Sequence, residues 1–83
     1  MTREKPTSLS LRLGAKIARL RRSKGLTQGR VEELIGLHPG HLSRIEHGVI
    51  LPGLEVLAAI SKVLEVTLPR LVSGIVEDDS KDA

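Results

Sequence analysis

From Thr27 to Gly48 the chain reads TQGRVEELIGLHPGHLSRIEHG, two short helical patterns broken at a single glycine, Gly36. No other stretch constrains the fold as much. Thr27 is a residue type that caps helices, because its hydroxyl accepts from a backbone N–H of the first turn. Its capping box is incomplete, since Arg30 stands where Glu or Gln would reach back. Over Gln28 to Ile35, the residues Val31, Leu34 and Ile35 are expected to form the buried side. Beyond Gly36, Pro39 fits the first turn of a helix, where its missing N–H costs nothing. The pattern predicts a helix from Pro39 to His47, stopped by Gly48.

The flanks are helical too. Ser8 or Ser10 is the expected cap of a first helix running to about Lys24, with Leu13, Ile17 and Leu20 inward and Gly25 at its end. Leu54 to Leu64 is the most apolar segment, and Val66 and Thr67 lead into a short helix from Leu68 to Val72. Five helices without a strand give an all-α fold class, a compact five-helix domain with no β-sheet. Residues 1–9 are expected as a flexible N-terminal arm, 10–74 as the folded domain and 75–83 as an acidic C-terminal tail.

Composition narrows the class of function. There is no cysteine, so neither a disulfide nor a thiolate metal site is available. No apolar run approaches the roughly 20 residues that span a bilayer, and residues 1–10 hold no signal-peptide core. A cytoplasmic protein without a membrane partner is expected. His38 and His41 are three apart, but no well-placed carboxylate completes a metal site with them or with His47. No nucleophile–base set or phosphate loop is visible, so neither an enzyme nor a cofactor is expected.

Two further features bear on partners. The chain has no Phe, Tyr or Trp, and so lacks the platform on which readers of single-stranded nucleic acid stack bases. Double-stranded DNA, read through hydrogen bonds and phosphate contacts, stays open to it. Charge is also unevenly spread. Residues 1–50 hold ten Lys and Arg against four Glu, a balance of +6, whereas 51–83 hold three against six, a balance of −3. The basic half carries the two-helix motif, as a surface facing a polyanion requires.

On a helical wheel, Leu42, Ile45 and Glu46 share the inward side of the helix after Gly36. Gly40, Ser43, Arg44 and His47 lie opposite, a face of small or hydrogen-bonding groups suited to base edges. Arg44 is the strongest candidate reader, because a guanidinium grips O6 and N7 of guanine together. Ser43 adds a hydroxyl, Pro39 an apolar surface for a thymine methyl, and Gly40 permits close approach. The plainer reading makes Arg44 a solvated arginine, Ser43 an inert polar position and Gly40 a helix-start residue. Thr27 and Gln28 open the bracing helix and, with His38, His41, His47 and Arg22, are candidates for the DNA backbone. Arg12, Lys16, Arg19 and Lys24 add cations on the first helix. An inward Glu46 needs a partner, and Arg21 is the candidate for a structural ion pair that orients the reading helix.

A second apolar stripe suggests self-association. Val56, Ala59 and Val63 lie away from the core side formed by Leu57, Ile60, Ser61 and Leu64. With Leu68, Leu71, and Ile75 or Val76, they can form a twofold dimer contact. The alternative is that the final segment folds back over the stripe within one monomer.

LGAKIARLRRSKGLTQ at 13–28, Gly36, LSRIEHG at 42–48 and LPGLEVLAAISKVLEV at 51–66 together resemble the phage repressor/Cro type (XRE-like) of helix-turn-helix domain. The resemblance implies a five-helix repressor-like fold, dimeric binding to a pseudo-palindromic operator and readout by the helix starting near Pro39. It further implies that Arg21 and Glu46 match the family's interhelical ion pair, and that Gln28 matches a glutamine set against the DNA backbone. Glu32 departs from the pattern, standing where a small Ala usually packs on the recognition helix. Gly29, His38 and Gly40 also depart from it. The expected function is sequence-specific binding of duplex DNA by a transcriptional regulator. The same fold also serves antitoxins with a toxin partner, controllers of restriction–modification operons, and protein–protein adaptors that no longer read DNA.

Overall fold

The computed structural model describes residues Thr7–Ile75; the outer part of the arm (1–6) and the tail from Val76 onward lie outside the described residues. Five α-helices follow one another: α1 (Ser8–Ser23), α2 (Gln28–Ile35), α3 (His41–Glu46), α4 (Leu54–Leu64) and α5 (Leu68–Val72). No strand occurs among the described residues.

Local chemistry sets the helix ends. Thr7, not Ser8 or Ser10, caps α1: its Oγ1 accepts from the Ser10 N–H at 3.1 Å. Ser10 returns the favour from the N3 position, accepting from the Thr7 N–H at 2.9 Å. The helix therefore takes in Ser8 and Leu9, which the sequence reading put in the arm. The Ser10 hydroxyl also donates to the Gly48 carbonyl at 2.8 Å, tying the start of α1 to the loop after α3. Thr27 caps α2 through the Arg30 N–H, and Thr67 caps α5 through the Arg70 N–H. α2 ends at Gly36 in the left-handed conformation.

The core is wholly aliphatic. Leu13 and Ile17 from α1, Val31 from α2, Leu42 and Ile45 from α3, Ile60 and Leu64 from α4, and Leu71 from α5 meet at its centre, with Ile75 beyond. Burying each such side chain is worth about 1.5–3 kcal/mol. α1 packs on α3, α2 on both α3 and α4, and α5 on α1 and α4. The α1–α3 contact is close: a Cβ on Gly14 would meet the carbonyl oxygens of Ile45 and Glu46.

Two apolar assignments change. Leu34, expected inside, is half exposed, because α2 turns Val31 and Ile35 toward the core and Leu34 away from it. Leu71 and Ile75, expected at a dimer contact, belong to the core of the monomer at 0% and 8% exposure. The chain after α4 folds back through α5, so these two side chains fill the interior and offer a partner nothing. Ile75 is thus part of the folded unit, not the head of a tail.

Candidate nucleic-acid interface

α3 begins at His41, two residues later than the proline rule predicts. Gly40 takes φ +91°, a left-handed conformation outside any α-helix and strained for residues with a Cβ. Pro39 and Gly40 accordingly form the turn before α3, where the His41 N–H donates to the His38 carbonyl at 3.0 Å. The helix closes at Glu46, with His47 as C-cap.

Leu42 and Ile45 are completely buried, so the opposite side of α3 must face out. Arg44, His47, His38, Pro39 and Gly40 are exposed, and Ser43 and His41 are half-buried. His38, Pro39, Gly40, His41 and Arg44 line one recess. Arg22, Gln28 and His47 line another, where α1, α2 and the end of α3 converge. The carbonyl of Ser43 accepts a hydrogen bond from the Nδ1–H of His47 at 2.8 Å.

Beneath this face lies a charged network. The side chains of Arg21 and Glu46 are 12% and 4% exposed. Arg21 Nε donates to Glu46 Oε2 at 2.7 Å and its Nη2 to Oε1 at 3.0 Å, a two-pronged pairing of guanidinium with carboxylate. A third Arg21 nitrogen donates to the Leu26 carbonyl at 2.9 Å. The hydrogen bonds to Glu46 raise the Arg21 pKa above its ordinary value, against the opposing effect of burial. Gln28 Nε2 also donates to Glu46 Oε1, at 2.8 Å. The Gln28 amide, expected against DNA, thus holds the end of α3 as well.

Three of the first-helix cations have intramolecular work that sequence reasoning missed. Arg12 donates to the Ile75 carbonyl at 3.0 Å. Lys16 Nζ donates to the carbonyls of Arg70 at 2.6 Å and Ser73 at 2.9 Å, capping the end of α5. Desolvation, then the charges of Arg19 and Arg70, lower its pKa. Lys24 pairs with Glu65 at 2.5 Å. These three face the C-terminal half of the domain, whereas Arg19 and Arg22 are exposed.

One residue at the site went unassigned in the sequence. The Glu32 carboxylate is buried under the start of α3, where a single oxygen accepts from the Gly40 and Leu42 N–H groups, each at 3.0 Å. Its signal was the departure already noted, a carboxylate where a small side chain usually packs.

Among the described residues no group of three or more His, Cys, Asp or Glu is arranged to hold a metal ion, and no helix is long and apolar enough to cross a membrane.

Comparison with known proteins agrees with this geometry. A helix-turn-helix family model matches residues 17–71. An uncharacterized HTH-type transcriptional regulator, y4dJ of Sinorhizobium fredii, is 39% identical over 61 residues, covering 74% of this chain and 79% of its own. The crystal structure of the clp gene regulator ClgR from Corynebacterium glutamicum superposes with a TM-score of 0.75 at 26% identity, covering 98% of this chain and all of that one. A hypothetical transcription factor, NHTF from Neisseria, shares the fold with a TM-score of 0.72 at 21% identity, covering 100% and 97%. The chain belongs to the helix-turn-helix family of DNA-binding transcription regulators, as a Cro/XRE-like domain.

Proposed function

We propose that the domain reads a specific DNA sequence by laying the outward face of α3 in the major groove, as a dimer on a pseudo-palindromic operator. The observation that carries this reading is the exposed Arg44, set between half-buried Ser43 and exposed His47 on a helix whose other side is sealed in the core. A guanidinium so presented can pair with O6 and N7 of guanine, worth about 1–3 kcal/mol of discrimination. The His38–Gly40 turn and His41 flank it. Arg22, Gln28, the exposed Thr27 at the start of α2, and the exposed His47 meet the sugar–phosphate backbone beside it.

A single α3 spans only a few base pairs, and a twofold dimer reads two half-sites about 34 Å apart. The surface left for such a contact is Val56, Ala59 and Val63 on α4 with Leu68, all half-buried in the monomer. Leu71 and Ile75, enclosed in the monomer core, take no part in it.

The test is a titration of duplexes enriched from a random pool, repeated across salt concentrations. A preferred sequence, with log affinity falling linearly against log salt, supports the reading. A flat salt response with no preferred sequence contradicts it and favours an adaptor that no longer reads DNA. Light scattering at micromolar concentration, free and on the duplex, tests the dimer. A monomer in both states overturns that part.

A further inference from the structure

We infer that Glu32 is a positioning residue for sequence recognition, an inference that rests on α3 being the reading helix. α3 has six residues, too few to hold itself together without tertiary support. Nothing at its own entrance caps it. Gly40, at the N-cap, has no side chain, and Pro39 before it has no N–H. Glu32 supplies the cap from another helix. Its Oε2 accepts from the N–H of Gly40 and of Leu42, both at 3.0 Å, and Leu42 is completely buried. A carboxylate is well suited to the task, because the N-terminal end of a helix carries partial positive charge and an ionised acceptor makes the stronger bonds.

The consequence is a helix held at both ends by carboxylates. At its start Glu32 ties it to α2, and at its end Glu46 ties it to Arg21 of α1 and Gln28 of α2. Ser43 and Arg44 lie between the two anchors. Base-edge hydrogen bonds tolerate little misplacement, whereas phosphate contacts spread over many groups tolerate more. Releasing the Glu32 anchor therefore harms recognition of the preferred sequence before it harms general attraction to DNA.

The test measures affinity for the preferred duplex and for a scrambled duplex of equal length, with wild type and the variants E32A, E32Q and E32D. Each variant is studied at a temperature where its circular dichroism reports a folded protein. In E32A the preference for the specific duplex should fall about tenfold, the size of a lost helix cap, with scrambled binding unchanged. E32Q should recover most of the preference, since its amide oxygen accepts the same two N–H groups. A preference undiminished in folded E32A, or an equal loss on both duplexes, overturns the inference. If E32A does not fold, E32D decides: its carboxylate falls one methylene short, so a wild-type preference there overturns the inference too. A wild-type protein without any sequence preference would instead defeat the DNA-reading assignment beneath it.

Discussion

Gly14 lies against the backbone of Ile45 so closely that even a methyl group has no room between α1 and α3. This contact sets how near the recognition helix sits to the body of the domain. Within a helix, replacing Gly by Ala ordinarily gains about 1 kcal/mol. Here the new carbon would stand 2.5 Å from the Glu46 carbonyl oxygen and equally crowd that of Ile45. Backbone atoms cannot swing aside as a flexible side chain can. G14A should therefore destabilise the domain by roughly 1–3 kcal/mol, the usual scale of overpacking. Chemical denaturation checks this; a gain in stability would mean that α1 and α3 are further apart.

The Arg21–Glu46 pair should behave as a unit. Removing either partner leaves its mate buried without a counter-charge, a loss of up to about 3–5 kcal/mol that the remaining hydrogen bonds to Gln28 and Leu26 reduce. Removing both should cost less than the sum of the single losses, with a coupling of about 1–3 kcal/mol in a double-mutant cycle. Because the folded-state pKa of Arg21 is raised, its contribution is complete below the ordinary arginine range and is lost only as pH rises beyond it. The arginine side of the coupling should thus be constant from neutral to moderately alkaline pH. Additive losses would show that the pair does not hold the helices together.

Glu65 offers a pH test at the surface. Its hydrogen bond from Lys24, and then that ammonium's charge, lower its carboxyl pKa on folding. A lowered acid contributes stability above its ordinary value and loses it as pH falls through the folded-state value. Relative to E65Q, the wild type should therefore be favoured at neutral pH, with the advantage disappearing below the carboxylate range. Both groups are exposed, so salt should shrink the difference. Unfolding midpoints against pH measure it. An advantage that grows on acidification would contradict the assignment.

For Arg44 the expected signature is a change of preference, not of fold. R44A should cost about 1–3 kcal/mol on the preferred duplex and relax the demand for guanine at one position in each half-site. Stability should hardly move, as the side chain is exposed. Selection of bound sequences with the variant provides the comparison. A guanine preference that survives unaltered would assign base reading to another side chain.

Much of the architecture is legible in the sequence. The limits of α2, α4 and α5 follow from Thr27, the apolar spacing of 54–64 and Thr67, because these are signals within a few residues of where they act. What escapes is decided at long range. The start of α3 depends on the left-handed Gly40 and on a carboxylate eight residues upstream, and proline's local preference cannot report either. The surroundings of Leu34, Leu71 and Ile75 are not legible on a helical wheel, which tells which residues share a side but not which neighbouring helix covers it. Arg12 and Lys16 read as cations available to phosphate until α5 brings backbone carbonyls within their reach.

The most direct measurement is methylation protection of the enriched duplex by dimethyl sulfate, which attacks guanine N7 in the major groove and adenine N3 in the minor groove. The wild-type protein should shield a guanine N7 in each half-site while leaving adenine N3 there reactive, and R44A should lose that shielding first. Full reactivity at every guanine beneath bound protein, or protection confined to adenine N3, would contradict entry of α3 into the major groove.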